Sequence, residues 1–327
     1  MINSKINILY CLDETRKDYA RHLGVSLLSL LDTNRENQLN IYILSAKLSG
    51  ENKAELERLV ADYGQKITIY LGEHIIPEDI EKLLIRKDIY YSRPLAMFYR
   101  IFWWNVFPDI TDRILYLDCD TMVLKDLKQF YNTDFGDASI VGAKDCPATD
   151  YERKLHLKLK TYINSGVLLM NRKIIDTNWA NEVKKVNEGY KNLIKFPDMD
   201  YINIIFQDKI KVVGNENNRL LTGERKFDWN NTTIIHTIKK PRVSPSLQPK
   251  SVVKLYNSYL TQTKWKSYIK QQKATVKSYL LRLFEKISVG LISLGYKLGK
   301  DRGAYLGASF CDAIFGILLW LKKKVKK

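Results

Sequence analysis

Strand-like and helix-like segments alternate along the first half of this chain, and that alternation limits its fold more than any other feature. Ile6–Leu12 has the apolar run of a buried strand, and Tyr19–Leu31 carries leucines at helical spacing. The strand and helix are followed by a second strand and helix and a third strand. Asn40–Leu44 and Lys66–Tyr70 are strand-like, and Ser49 can cap the helix between them. Strands that alternate with helices in this way are joined by crossover connections. An α/β fold with a mostly parallel sheet is therefore predicted.

Further segments extend the predicted sheet. A helix is expected to begin at Ser92. Three short apolar runs are strand-like, and they are Ile114–Leu117, Ser139–Ala143 and Gly166–Met170. Open sheets of this kind bind ligands at the carboxyl ends of their strands. The first strand is not followed by Gly-x-Gly-x-x-Gly, and the sequence contains no Gly-Lys-Ser/Thr loop. A nicotinamide-type dinucleotide site and a P-loop are therefore both unsupported.

The positive charge is concentrated at the carboxyl end. The chain has 53 basic and 36 acidic residues, a net charge of +17. Residues 250–327 hold 17 basic and 3 acidic residues, a net of +14, which leaves +3 for residues 1–249. A globular nucleic-acid binder with a basic face across its fold is therefore disfavoured, and no nucleic-acid partner is predicted. The division predicts a main domain over 1–249 followed by a basic helical tail over 250–327.

The tail has the pattern of a membrane-associating helix. Apolar residues recur every three or four positions from Val276 to Leu298, with lysines and arginine on other faces. Gly303–Leu321 is apolar apart from Asp312, which would cost about 2.5–3.5 kcal/mol inside a bilayer. A helix lying in the interface is preferred over a spanning one, and packing of the tail on the domain stays open. With four scattered cysteines and no leader-like start, the protein is expected in the cytoplasm, peripheral on the inner face of the membrane.

Two carboxylates follow the predicted strand Ile114–Leu117. Asp118 and Asp120 are separated by one residue, so at a strand end both side chains would point to the same side and converge on one cation. Hard oxygen ligands favour Mg²⁺ or Mn²⁺, which commonly bridge carboxylates to a substrate diphosphate. The spacing alone is weak, because a solvated strand end or a turn cap has the same residues. The position at the carboxyl edge of a parallel sheet favours the metal site.

A series of ordered blocks across residues 5–242 resembles the retaining glycosyltransferases of family 8, which include bacterial lipooligosaccharide galactosyltransferases and are related to glycogenin. The blocks are Ile8-Leu-Tyr-Cys-Leu-Asp13, Phe98-Tyr-Arg100, Leu115-Tyr-Leu-Asp118-Cys-Asp120, Gly142-Ala-Lys-Asp145, Tyr162-Ile-Asn164-Ser-Gly-Val-Leu-Leu-Met-Asn171, Phe196-Pro-Asp198-Met-Asp200-Tyr-Ile-Asn203, and Ile234-Ile-His236 with Lys240-Pro241. The resemblance implies a Rossmann-like, nucleotide-sugar-binding domain of the GT-A type.

The resemblance also implies a role for individual residues. Asp118, Asp120 and His236 would ligate Mn²⁺, with Mg²⁺ as the alternative. Asp13 would bind the uracil edge and Lys240 the diphosphate. The other donor-binding positions implied are Cys11, Arg100, Asp118 and Met199, and the catalytic positions are Asp145, Asn164, Asp198 and Asp200. Each residue also has a plain structural alternative; for example, His236 ends a β-branched run and is a candidate core histidine.

The sequence departs from the family pattern at two places. Met199 stands where the family often has glutamine between the two aspartates, near the reactive face of the sugar. A thioether cannot donate a hydrogen bond, and it is a poor nucleophile toward a sugar carbon. The segment from His236 to Arg242 is also shorter than the family's corresponding loop and lacks its glycine and tryptophan. The match of Lys240 to the family lysine is therefore less secure than that of His236.

The expected activity is metal-assisted transfer of galactose or glucose from a UDP-sugar to a glycan, with retention of anomeric configuration. The expected acceptor is a lipid-linked precursor of a cell-surface polysaccharide, reached from an anionic membrane to which the tail binds. Because Met199 offers no nucleophile, attack on the same face as the departing UDP is favoured. The alternative is a non-catalytic, membrane-associated protein that binds a nucleotide sugar. Met199 and the short loop after His236 are the features that favour it.

Overall fold

The fold is described from a computed structural model of the chain. It describes residues 5–14, 19–72, 75–84, 95–110, 112–173, 179–221, 227–237 and 248–271. Three sequence expectations lie outside these residues: the start of a helix at Ser92, the role of Lys240, and the amphipathic pattern of the tail beyond residue 271.

Within the described residues, ten strands form two sheets. They are β1 (Lys5–Leu12), β2 (Gln38–Ser45), β3 (Lys66–Leu71), β4 (Arg113–Leu117), β5 (Thr121–Val123), β6 (Ile140–Lys144), β7 (Ile163–Asn171), β8 (Ile210–Val213), β9 (Arg219–Leu220) and β10 (Ile234–His236). The larger sheet has the order β3-β2-β1-β4-β7-β6-β8, and the smaller has the order β5-β10-β9. The mostly parallel α/β sheet predicted from the sequence is confirmed, since β3, β2, β1 and β4 run parallel and β8 runs parallel to β6.

Strand β7 differs from the sequence expectation, because it runs antiparallel to both of its neighbours, β4 and β6. In this register Leu117 at the end of β4 lies opposite Val167 in the middle of β7, and the first half of β7 extends past the end of β4. The beginning of β7 therefore lies at the ligand-binding edge of the sheet, beside the carboxyl ends of the parallel strands. The backbone N–H of Asp118 donates to the carbonyl of Gly166 at 2.8 Å, which fixes this alignment beyond the last strand pair.

Helices cover both faces of the larger sheet. They are α1 (Tyr19–Thr33), α2 (Gly50–Ala61), α3 (Glu78–Leu84), α4 (Tyr99–Phe102), α5 (Lys128–Tyr131), α6 (Pro147–Leu157), α7 (Trp179–Tyr190), α8 (Pro197–Ile205) and α9 (Lys250–Leu260). Short 3₁₀ helices occupy Leu95–Phe98, Trp103–Asn105, Asn215–Asn218 and Lys264–Gln271. The predicted cap is present, because the Ser49 hydroxyl accepts from the backbone N–H of Asn52.

Two hydrophobic cores lie on opposite faces of the larger sheet, and β1 contributes to both. Ile8 and Tyr10 enter the core under α1 and α2, whereas Leu9 and Cys11 enter the core under α4 and α8. Successive residues of a strand point to opposite faces, so a strand buried on both faces needs the continuous apolar run seen here.

The carboxyl-terminal segment of the described chain packs on α1. The ring of Trp265 fills a notch at Gly24, where a Cβ would lie 2.4 Å from the nearest ring carbon. The hydroxyl of Tyr256 lies 2.8 Å from Nδ1 of the buried His22. Residues 250–271 therefore share a core with the domain expected to end at residue 249, and the rest of the expected tail, 272–327, lies outside the described residues. Within the ranges described above, every helix is too short or too polar to cross a membrane.

Candidate active site

Two acids and one imidazole meet at the carboxyl edge of the sheet. Asp118 and Asp120 follow β4, and His236 ends β10 far along the chain. Strand β10 pairs antiparallel with β5, which sets His236 opposite Thr121 and next to the acids. Nε2 of His236 lies 3.5 Å from Oδ2 of Asp118 and 3.6 Å from Oδ1 of Asp120. One ligand atom from each of the three lies within 4.8 Å of the other two.

The two acids converge through a turn and not through strand alternation, which corrects the sequence argument. Strand β4 ends at Leu117, and Asp118, Cys119 and Asp120 turn the chain into β5. The carbonyl of Asp118 accepts from both the backbone N–H and the hydroxyl of Thr121, at 3.1 and 2.8 Å. The buried thiol of Cys119 donates to the carbonyl of Cys11 and anchors the turn on β1.

The space beside these three residues is kept open by Gly166 on β7. A Cβ at Gly166 would lie 2.1 Å from Cε1 of His236 and 2.8 Å from Oδ2 of Asp118. Mn²⁺ and Mg²⁺ both bind carboxylate oxygens, and an imidazole nitrogen in the ligand set favours Mn²⁺ over Mg²⁺. The donor set and its spacing therefore fit one divalent cation.

The charges at this site are balanced by a buried arginine. Nη2 of Arg100 lies 3.0 Å from Oδ1 of Asp118, and its Nη1 lies 3.4 Å from Oδ2 of Asp198. Its guanidinium also covers the ring of Tyr116, whose hydroxyl donates to Asp118. Burial opposes the charge of Arg100, but Asp118, Tyr116 and Asp198 raise the pKa of Arg100 above its ordinary value. Arg100 therefore stays charged and bridges Asp118 and Asp198.

A second polar group lies at the start of β7. Nδ2 of Asn164 faces Oδ2 of Asp145 at 3.5 Å and Sδ of Met199 at 3.7 Å. The hydroxyl of Ser165 donates to Asp198 at 2.9 Å. Burial raises the pKa of Asp145, and hydrogen bonds from the Cys146 backbone and Asn164 offset part of that rise. Asp145, Asn164, Ser165 and Asp198 are buried, and Met199 is partly buried.

Asp200 occupies a different environment from the other predicted site residues. It is completely buried, and its two oxygens accept five hydrogen bonds. The donors are two nitrogens of Arg153, the hydroxyl of Tyr162, and the backbone N–H groups of Lys195 and Phe196. This arrangement fixes the first turn of α8, which carries Asp198 and Met199. The geometry favours a positioning role for Asp200 over the catalytic role expected from sequence.

The remaining predicted residues lie at or near the end of β1. Cys11 is buried within β1, and Asp13 is half-buried in the turn that follows. Burial raises the pKa of the Cys11 thiol, which therefore stays neutral. Strands β1 and β4 are parallel neighbours, so both residues share an edge of the sheet with Asp118.

Gly166, Tyr116 and Asn218 are among the residues of this region that were not predicted as site residues. Gly166 carried one signal, because a glycine inside a strand often marks close approach of another group. Tyr116 and Asn218 carried none, since a tyrosine in a core strand and an asparagine in a polar run have many other uses. Oδ1 of Asn218 lies 3.1 Å from Nδ1 of His236, and this contact joins two segments that only the fold brings together.

Sheet, helices and site together define a fold of the GT-A glycosyltransferase class. The galactosyltransferase LgtC, solved in complex with donor and acceptor sugar analogues, matches it with a TM-score of 0.64 at 20% identity, covering 80% of this chain and all of that one. GlyE of Streptococcus pneumoniae matches with a TM-score of 0.55 at 17% identity, covering 82% of this chain and 63% of that one. The chain belongs to glycosyl transferase family 8, whose model matches residues 7–241.

Curated relatives include transferases of lipopolysaccharide assembly. A lipopolysaccharide 1,2-glucosyltransferase of Escherichia coli is 24% identical over 239 residues, or 69% of this chain and 66% of that protein. A lipopolysaccharide 1,3-galactosyltransferase of Salmonella typhimurium is 28% identical over 222 residues, or 64% of this chain and 62% of that protein. In each case the alignment spans less than two thirds of the relative's length.

Proposed function

We propose that this protein is a retaining hexosyltransferase that moves galactose or glucose from a UDP-sugar to a hydroxyl of a glycan. The observation that carries the proposal is the convergence of Asp118, Asp120 and His236 next to a second, buried polar group at the ligand-binding edge of the sheet. Family membership and the names of the relatives support a sugar transfer. The choice of UDP as nucleotide rests on the position of Asp13 after β1.

Asp118, Asp120 and His236 would hold Mn²⁺, with Mg²⁺ as the alternative. When bound, the ion supplies Lewis-acid stabilisation of the negative charge that develops on the departing diphosphate. Lys240 would add to it from the segment after β10. Arg100 orients Asp118 through a charge-assisted contact at 3.0 Å.

The second polar group would hold the donor sugar. Asp145, Asn164 and Asp198 present carboxylate oxygens and an amide N–H within one buried region, and these are the partners that sugar hydroxyls require. Asp200 contributes indirectly, since its five hydrogen bonds fix the helix start that presents Asp198.

Retention is proposed to occur by attack on the face from which UDP departs. The bond between the anomeric carbon and the UDP oxygen breaks, the acceptor oxygen bonds to the same carbon, and the acceptor proton passes to a phosphate oxygen of UDP. Met199 supports this route, because its thioether beside Asn164 is a poor nucleophile toward a sugar carbon.

The acceptor is proposed to be a lipid-linked precursor of a cell-surface polysaccharide. Transferases of lipopolysaccharide assembly are among the relatives, and residues 250–327 carry most of the net positive charge. Basic segments gain about 1 kcal/mol per Lys or Arg near an anionic membrane surface. A peripheral position on the cytoplasmic membrane face follows from these two features.

A second candidate is a non-catalytic protein that binds a nucleotide sugar at the membrane. Met199 favours it, because it stands at the point where the family often has an amide. Both candidates bind the donor, but only the transferase consumes it.

The experiment is a donor screen with the full chain and Mn²⁺, reading released UDP from UDP-galactose, UDP-glucose and their N-acetyl forms. Transfer of one hexose to a glycan with retained configuration, read by proton NMR of the anomeric centre, supports the proposal. Tight donor binding without turnover on any acceptor tested, including lipid-linked glycans, supports the second candidate.

A further inference from the structure

Asn218 is a buried asparagine that contacts the metal site and the sugar site at the same time. It ends the 3₁₀ helix before β9 and is 1% exposed. Its Oδ1 lies 3.1 Å from Nδ1 of His236, and its Nδ2 lies 3.0 Å from Oδ1 of Asn164.

The direction of these hydrogen bonds follows from one backbone group. The N–H of Gly166 donates to Oδ1 of Asn164 at 2.9 Å, and a backbone N–H can only donate, so the atom of Asn164 that faces it is the carbonyl oxygen. The other end of Asn164 agrees, because its Nδ2 faces two acceptors, Oδ2 of Asp145 and Sδ of Met199.

The same logic passes through Asn218 to the histidine. Because Asn164 presents an acceptor, Asn218 must present its Nδ2 donor there, and its carbonyl oxygen then faces His236. Nδ1 of His236 therefore carries a proton, which leaves Nε2, the nitrogen that faces Asp118 and Asp120, as the ring atom placed to meet a cation.

We infer that Asn218 is a positioning residue that selects the Nδ1–H form of His236 and so prepares Nε2 to bind a divalent cation. The inference rests on the proposed metal role of His236. A histidine that binds a metal commonly donates its other N–H to a neighbouring acceptor, which fixes the ring and its tautomer. Asn218 also joins His236 to Asn164, so one chain of hydrogen bonds connects the metal site with Asp145 and Met199.

The first test measures Mn²⁺ affinity directly, by following the electron paramagnetic resonance of free Mn²⁺ during titration. Asn218→Leu removes the acceptor and should weaken Mn²⁺ binding by about 10–100-fold. Asn218→Asp keeps an acceptor toward Nδ1–H and should stay within about threefold of the original affinity, since carboxylates serve as such partners. Asn215→Leu, at an exposed position of the same 3₁₀ helix, is the matched control and should leave affinity unchanged.

A purely structural role predicts the reverse order, because an aspartate adds a buried charge and should disturb the site at least as much as leucine. Equal Mn²⁺ affinity in Asn218→Leu and the original protein overturns the inference and leaves the metal role intact. If the unsubstituted protein binds no Mn²⁺, both the inference about Asn218 and the proposed metal role of His236 are overturned.

The second test observes the tautomer. The protein has four histidines, so nitrogen-15 labelling of histidine gives a small set of signals, and His236→Ala identifies the one of interest. With ¹¹³Cd²⁺ as a diamagnetic substitute, Nε2 should show coupling to cadmium and Nδ1 should carry the proton. Coupling of cadmium to Nδ1 overturns the inference.

Discussion

The backbone of Gly166 and the imidazole of His236 lie closer together than any side chain at position 166 would allow. A Cβ there would lie 2.1 Å from Cε1 and 2.7 Å from Nδ1 of the ring. The bare backbone of β7, which pairs antiparallel with β4, thus forms one wall beside Asp118 and His236.

Gly166→Ala tests this wall. The added methyl group must displace His236 or Asp118, so we expect Mn²⁺ affinity to fall by about 10–100-fold. The fold should survive, because the clash is with side chains. Gly189→Ala is the control: nothing lies within 4 Å of its added Cβ, and it sits in α7. Unchanged Mn²⁺ affinity in the Gly166 variant would show that His236 does not need this space.

Arg100→Ala tests the charge balance of the site. The variant leaves Asp118 and the buried Asp198 without their shared cation, and removing one partner of a buried ion pair costs about 3–5 kcal/mol. The free energy of unfolding, measured with urea in metal-free buffer, should fall by that amount. Arg35→Ala removes an exposed pair with Asp32 and should have no measurable effect. Equal stabilities of the two variants would contradict the role given to Arg100.

Met199→Leu tests the mechanism of retention. Leucine has nearly the same volume and no sulfur, and such exchanges cost under about 1.5 kcal/mol of folding stability, so the shape of the site should be kept. If the sulfur takes no part in the reaction, kcat should stay within about tenfold. The anomeric configuration of the product should stay the same. A loss of several orders of magnitude in kcat, with unchanged donor KM, would mean that the sulfur takes part in the reaction.

Removal of residues 274–327 tests the membrane hypothesis. The cut lies beyond Trp265, which fills the notch at Gly24, so the core under α1 is kept. We expect loss of binding to vesicles containing anionic lipid, with unchanged UDP release on a water-soluble acceptor. Binding of the full chain to uncharged vesicles is the control for apolar insertion. A shortened chain that sediments with anionic vesicles as well as the full chain would refute the hypothesis.

Much of the fold follows from local pattern. The strand β1 and the helix capped by Ser49 were predictable, because apolar periodicity and capping residues act over a few positions. The direction of β7 was not predictable, since Gly166–Met170 has the same apolar run in either direction. The packing of Trp265 against Gly24 was also not predictable, because only the fold brings these two residues together.

Some features of the candidate site were likewise predictable from the sequence, and others were not. Asp118, Asp120 and His236 were found from ordered motifs, but the turn that brings the two acids together was mistaken for a strand end. Asp200 sits in the same motif as Asp198, yet the donors around it come from α6, the residue before β7 and the segment before α8. Sequence identifies which residues are polar and near one another in the chain, and long-range packing decides whether they face a ligand or the protein.

Asp120→Asn, assayed for UDP release from the preferred UDP-hexose across a Mn²⁺ titration, tests whether a cation held by these acids assists the departure of UDP. The substitution keeps the shape of the side chain and removes one negative charge beside His236. We expect kcat/KM to fall by about 100-fold or more and the half-saturating Mn²⁺ concentration to rise. Full transfer with an unchanged Mn²⁺ dependence would contradict this expectation.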